Sequence, residues 1–402
     1  MKRIGAMLVG ILGHLSSVVL TGDLLLKKGL FPPTGMVTAR HEFSTLDLAD
    51  PKDVVFGGWD IRSGDPAEKA REFLVDTLLV NARDYAAIQG ELKAVGEYVY
   101  PGTHMNCGRA ITALADGPHC QPPVPAYEIL ETLRANIRDF LSRSGADGVV
   151  VVNLGSTEPV LTLSAQHHLT PDAVLQCVAD DRQEFLRAGT LYSLAAILEN
   201  CAYINFTASN SALIPGIVKL AEDKRVPVMG NDGKTGETLV KSALSSMFPS
   251  RNLEVLSWEG FNILGNMDGK VLDDPDNKES KINSKDAVLP HILGYSPHST
   301  VHIGYVPSLG DQKTAWDFIH FKGFLGTRMS LQFIWQGFDS MLAAPLVLDL
   351  IRLAGFARRK GEYGLMPHLA SFFKAPLGVE EHRLHEQFRL LSDYVSSQGG
   401  GE

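Results

Sequence analysis

Gly148-Val149-Val150-Val151-Val152-Asn153-Leu154 is the stretch whose reading decides the fold. Four valines in succession leave no polar face. A half-exposed strand alternates, whereas a strand covered on both sides in a parallel sheet is apolar throughout. Shorter runs of the same kind stand on either side of it. Residues 4–9 form one, Asp53-Val54-Val55-Phe56 leads another into Gly57-Gly58-Trp59-Asp60-Ile61, and Tyr203-Ile204-Asn205 and Val226-Pro227-Val228-Met229 follow. Helical segments at 15–28 and 190–199 lie between such runs. Strands alternating with helices predict βαβ units and a doubly wound α/β sheet. Ligands of such sheets collect beyond the carboxyl ends of the strands. The regions of Asp60, Thr157, Asn210 and Asp232 all follow strand ends.

The texture changes after about residue 240. Residues 253–258 and 300–306 read as strands, 330–335 alternates, and 340–354 reads as a strong helix. The polar stretch 273–286 between them reads as a mobile loop or short helix over a site, and the tail 396–402 as frayed. With 402 residues, 45% of them hydrophobic, the chain has room for two structural units. A net charge of −9 without a basic stripe argues against nucleic acid as a partner. Cys107, Cys120, Cys177 and Cys201 are widely spaced and contain no CxxC pair, which suits buried thiols in a reducing, cytoplasmic setting. Met1-Lys2-Arg3 ahead of the apolar residues 4–20 imitates a secretory leader. Gly10, Gly13, His14 and Ser16-Ser17 interrupt that run and no A-x-A site follows, so the expectation is strand, turn and helix rather than export. No other run is read as approaching the roughly 18 apolar residues of a membrane span.

Gly10-x-x-Gly13 lies between the first strand and its helix, where backbone N–H groups and the helix dipole can hold a pyrophosphate. Leu12 stands where a full dinucleotide fingerprint has its second glycine, so the motif reads equally as a plain glycine turn. Asp60, just past a strand, suits a ribose hydroxyl or is a solvated turn aspartate. The histidines show no metal-ligand spacing, and neither a G-x-S-x-G elbow nor a P-loop is present. Lysines and aspartates instead gather in glycine- and asparagine-rich blocks: Gly230-Asn231-Asp232-Gly233-Lys234-Thr235-Gly236, Asn262-Ile263-Leu264-Gly265-Asn266-Met267-Asp268-Gly269, Ser280-Lys281-Ile282-Asn283-Ser284-Lys285, Gly310-Asp311-Gln312-Lys313 and Phe373-Lys374-Ala375-Pro376. Lysine is a compact cation whose pKa falls when buried. It therefore serves both to anchor a phosphate and to move protons.

These blocks, with Asp53 to Ile61, Tyr305-Val306-Pro307-Ser308-Leu309-Gly310-Asp311-Gln312-Lys313 and Asp339-Ser340-Met341-Leu342-Ala343-Ala344-Pro345, resemble the myo-inositol-1-phosphate synthases over most of the chain. The resemblance implies a Rossmann-like NAD domain made of residues 1–239 plus 340–402, with an inserted α+β catalytic and oligomerisation domain at 240–339. It implies an NAD-dependent isomerase that oxidises glucose 6-phosphate at C5, enolises it, closes the ring by an intramolecular aldol step and reduces the product. The rivals are a paralogue cyclising another hexose phosphate, such as fructose 6-phosphate, and a non-catalytic NAD-binding homologue. By family position, Lys281 handles the proton at the oxidised hydroxyl, Lys285 meets phosphate or aldehyde, Lys313 the phosphate, and Lys374 the enolisation and aldol steps. Asp232 and Asp339 orient lysines or NAD, and Asp268 lies at the nicotinamide end. NAD is held by Gly10, Gly13, Asp60 and Thr157. The substrate meets Thr235, Gly236, Asn262 and Asn266. Asp311 is a lysine partner or a ligand for a divalent or monovalent cation. The resemblance also implies a homo-oligomer, a tetramer, with no membrane partner. Where the family has glutamine, this chain has Glu237. A carboxylate aimed at a phosphate is repulsive, so Glu237 turns away, pairs with a lysine, or marks a different substrate.

Overall fold

The computed structural model describes residues 2–116, 124–271 and 288–399. Seven strands form a wholly parallel sheet: β1 (Ile4–Val9), β2 (Val54–Asp60), β3 (Val99–Pro101), β4 (Gly148–Asn153), β5 (Ala202–Asn205), β6 (Pro227–Gly230) and the short β11 (Gly364–Leu365). Their order is β11-β6-β5-β4-β1-β2-β3. The direction of winding reverses between β1 and β4, where Ile4 pairs with Val54 on one side and Gly148 on the other.

Alternate residues of these strands feed two separate cores. Leu8, Val150, Val152 and Ile204 pack with Val19 and Leu20 of the helix His14–Lys27 and with Val347, Leu350 and Ile351 of the helix Asp339–Lys360. Met7, Val149, Val151 and Tyr203 pack on the other face with Leu133, Ile137 and Phe140 of Ala126–Ser144 and with Leu191 and Leu194 of Ala188–Leu198. The unbroken valine run is thus apolar because helices cover both of its faces. Each wholly buried valine contributes about 1.5–3 kcal/mol. Asp339–Lys360 is long and apolar enough to cross a membrane by length and composition, nearer that limit than the sequence reading allowed. Its burial between the sheet and the first helix makes it the core helix of this layer.

A second sheet has the order β10-β9-β7-β8, with β7 (Glu254–Leu264), β8 (His298–Tyr305), β9 (Gln312–Lys322) and β10 (Arg328–Phe338). β7 and β8 are parallel and the other pairs antiparallel. One face closes over Phe248, Val255, Trp258, Ile319 and Phe321. β3 and β11 are too short to be read from the sequence, and β9 also escapes it. The inward positions of β9 mix the polar Lys313 and Asp317 with Ala315, Ile319 and Phe321, and its outward ones include the aromatic Trp316 and Phe318, so the usual alternation is blurred. Of the tail read as frayed, residues 396–399 continue the helix Leu384–Gly399, and 400–402 lie outside the described residues. Lys281, Lys285 and the polar stretch 273–286 lie outside the described residues.

Candidate active site

At the winding reversal the chain leaves β1 through Gly10, whose φ of +81° is a left-handed conformation that favours glycine. The Gly10 and Ile11 N–H groups donate to the Trp59 carbonyl at 2.8 and 3.0 Å, and the Ser16 hydroxyl donates to the Gly10 carbonyl. The helix His14–Lys27 then starts at an extended Gly13 with no side-chain cap, so its N-terminal dipole faces the cleft. Asp60, at the end of β2, accepts the Leu12 N–H at 2.8 Å on one carboxylate oxygen and the Arg62 N–H at 2.9 Å on the other. Leu154, Gly155, Ser156 and Thr157 follow β4 along the opposite wall. An uncapped helix N-terminus, a left-handed glycine and a carboxylate after the second strand together fit a dinucleotide.

The far end of the same cleft comes from the later part of the chain. Backbone bonds join residues 231–234 to 372–375: Asn231 N–H to the Ala375 carbonyl, Lys374 N–H to the Asp232 carbonyl, and Lys234 N–H to the Phe372 carbonyl. This pairing sets the Lys374 ammonium 2.9 Å from an Asp232 carboxylate oxygen, with both residues buried. A second pair lies beside it, Lys313 and Asp339 at 3.0 Å. Gly236 stands against that pair at φ +57°. A Cβ there would lie 2.8 Å from Asp339 Oδ1 and 3.2 Å from Lys313 Nζ, so a larger residue would displace the ion pair. Asp311 accepts the Asn266 amide at 3.0 Å and the Ser340 hydroxyl at 2.5 Å.

Gly10, Gly13, Asp60, Thr157, Asp232, Thr235, Asn266, Asp311, Asp339 and Lys374 therefore line one cleft, and Lys313 and Gly236 touch its wall through Asp339. Asp268 belongs to the helix Met267–Val271. Asn262 is placed elsewhere. It is 2% exposed on the inner face of β7 and donates at 2.5 Å to Glu237. Glu237 in turn meets Lys241 at 2.7 Å, both side chains 1% exposed. Of the three readings open for Glu237, the structure realises two together: it turns from the cleft and pairs with a lysine. Among the described residues no group of three or more His, Cys, Asp or Glu is placed to hold a metal ion.

Two cleft residues, Glu158 and His14, and the buried Lys234 were given no role from the sequence. Glu158, directly after Thr157, accepts the Gly189 N–H at 2.8 Å and the Ser211 hydroxyl. Burial pushes its carboxyl above the usual range, and those bonds pull it back. His14 stacks on Phe73 at 4.2 Å. Burial, with the charges of Arg62 and Lys69, holds its imidazole down to about 4, so it is neutral in the cleft. Lys234 is 3% exposed and donates to Gln387 of the last helix. Burial, then the Lys374 charge, lowers it to about 7. Its signal was its place between Asp232 and Gly236.

The family model described as Myo-inositol-1-phosphate synthase matches residues 4–395. Inositol-3-phosphate synthase 1 of Bacteroides thetaiotaomicron is 32% identical, over 99% of this chain and 96% of its own length. The enzyme of that name from Mus musculus is 32% identical over 83% of this chain, which matches 61% of the mouse protein. A crystal structure of inositol-3-phosphate synthase from Caenorhabditis elegans has the same fold, with a TM-score of 0.88 and 24% identity over 99% of this chain and 86% of that one. A myo-inositol-1-phosphate synthase-related protein from Thermotoga maritima superposes with a TM-score of 0.79 at 25% identity, covering 97% and 98% of the two chains.

Proposed function

The chain belongs to the myo-inositol-1-phosphate synthase family, and from that premise we propose that it cyclises glucose 6-phosphate to an inositol monophosphate. It is an NAD-dependent enzyme of that family. The observation that carries the reading is the pair of buried lysine–aspartate contacts, Lys374–Asp232 and Lys313–Asp339, at the end of a dinucleotide cleft.

NAD would be held by the Gly10 turn, Gly13, Asp60 and Thr157, and when bound supplies an acceptor that takes hydride from C5 and later returns it. The rest falls to the chain. Asp232 fixes the Lys374 ammonium, which we assign to the enolisation and aldol steps. A fixed cation in a dry site stabilises an enolate or alkoxide strongly, because it needs no reorganisation as the charge develops. Lys313, oriented by Asp339, is assigned to the substrate phosphate, with Thr235 and Gly236 beside it. Lys281 is assigned to the proton of the C5 hydroxyl, Lys285 to phosphate or aldehyde, and Asp268 to the nicotinamide end. Asn266 orders Asp311, the one carboxylate we assign to an optional cation. Asn262 reaches the substrate in this reading only through Glu237 and the helix Gly236–Leu244. Glu237 gives no ground for a different hexose phosphate, since its charge is spent on Lys241 and Asn262.

We assign residues 1–239 plus 340–402 to the cofactor domain and 240–339 to the catalytic and oligomerisation domain. The outward face of the second sheet supports self-association into a tetramer. His302, Phe261, Trp316 and Ile334 stand in one row across its four strands, with Phe261 39% and Ile334 67% exposed. Free, buried Cys177 and Cys201 support a reducing, cytoplasmic setting. The test of function is product identification by NMR after incubation with NAD and each hexose phosphate. An inositol monophosphate from glucose 6-phosphate is expected. Turnover of fructose 6-phosphate alone would replace this reading with the paralogue.

A further inference from the structure

A carboxylate and a guanidinium share the turn after β2. One Asp60 oxygen accepts the Arg62 Nε–H at 3.1 Å as well as its backbone N–H, and the other lies 3.4 Å from the guanidinium's terminal nitrogen. Both side chains line the cleft beside Gly10, Gly13 and His14. They differ in freedom: the Asp60 side chain is 2% exposed and that of Arg62 24%. Asp60 is further pinned by the Leu12 N–H, whereas Asp60 is the only acceptor found for the guanidinium among the described residues. Nearby, the Lys69 stem passes Gly64 and its ammonium pairs with Glu72 at 3.0 Å, while His14 stacks on Phe73.

A carboxylate after the second strand selects a dinucleotide with free ribose hydroxyls, and an arginine at that place suits one with a 2′-phosphate. This turn holds both, the arginine folded onto the carboxylate. A 2′-phosphate would meet the Asp60 charge first, while the guanidinium fork that matches phosphate geometry is occupied. We infer that Arg62 is a built-in receptor for a 2′-phosphate, kept closed by Asp60, so that the preference for NAD over NADP rests on the single charge of Asp60. The inference concerns the cofactor alone and stands apart from the identity of the sugar phosphate.

The test is calorimetric titration of the full chain, without sugar phosphate, with NAD and with NADP. The proteins are the wild type, Asp60→Asn, Arg62→Ala and the double variant. The amide introduced by Asp60→Asn keeps an oxygen for the Leu12 N–H. Asp60→Ser serves as a second variant, and circular dichroism melts establish that each is folded. Wild type is expected to bind NAD the more tightly. Asp60→Asn is expected to gain about tenfold or more in NADP affinity, a gain that shrinks with added salt and vanishes when Arg62→Ala is added. Three results would overturn the inference: wild type binding both cofactors equally, no NADP gain in either folded Asp60 variant, or a gain that survives Arg62→Ala.

Discussion

Lys374 is held in place by two things of different kind, a backbone ladder and a carboxylate. The bonds between residues 231–234 and 372–375 set its Cα, and Asp232 sets its ammonium. Lys374→Met should therefore lower kcat by about 100-fold or more while NAD affinity stays nearly constant, since the lost charge acts chiefly on the developing oxyanion. Lys281→Met should do the same. Near wild-type kcat in either variant would remove that lysine from the mechanism. Lys234 makes a different prediction. Its folded pKa of about 7 lies below its ordinary 10.5, so between those values the unfolded chain binds more protons than the folded one. Stability should rise with pH above 7, and the cost of charging Lys234 should be fully present below it. Urea midpoints at pH 7 and pH 9 should show that gain in the wild type and not in Lys234→Met. An equal gain in both would mean that Lys234 is not the titrating group.

At the scale of elements, the helix Gly236–Leu244 is fixed at its start by Gly236 against the Lys313–Asp339 pair. The next residue, Glu237, ties it to Asn262 of β7 and pairs with Lys241 one turn on. Glu237→Gln would leave Lys241 buried without its carboxylate, and removing one partner of such a pair costs about 3–5 kcal/mol. Thermal unfolding should show that loss, and adding Lys241→Met should recover part of it. A double variant no more stable than the single would mean that the pair is not coupled. This anchor was the least legible part of the sequence, which offered three fates for Glu237 and nothing to choose among them. What decided it was Asn262, a residue 25 positions away and assigned to the substrate. Five of the seven strands of the first sheet were far easier to read, while β3 and β11, three and two residues long, were too short to signal. The valine run of β4 and the Gly10 turn are local signals, and the observed bounds differ from the expected ones by a residue or two. β9 was hidden because Lys313 and Asp317 point inward, one held by Asp339 and the other accepting the Trp258 indole N–H, while Trp316 and Phe318 point outward.

At the scale of the whole molecule, the parallel sheet supplies the cofactor turn at residues 10–60 and the Lys374–Asp232 pair, and the four-stranded sheet brings Lys313 of β9 to Asp339 at the wall of the same cleft. The chemistry thus needs both ends of the chain at once, which is why Lys374 could be assigned only by resemblance. The bare row His302, Phe261, Trp316 and Ile334 predicts association. Light scattering should report a tetramer, and Ile334→Lys should give a smaller species. A monomeric wild type would refute this use of the sheet. The central claim is that one hydride leaves and returns within a single cleft. It is tested most directly by supplying glucose 6-phosphate deuterated at C5 with substoichiometric NAD and following the label in the product. The account predicts an inositol monophosphate that keeps the deuterium through many turnovers, with no accumulation of NADH. Loss of the label to solvent, or NADH formed in proportion to the sugar phosphate consumed, would contradict it.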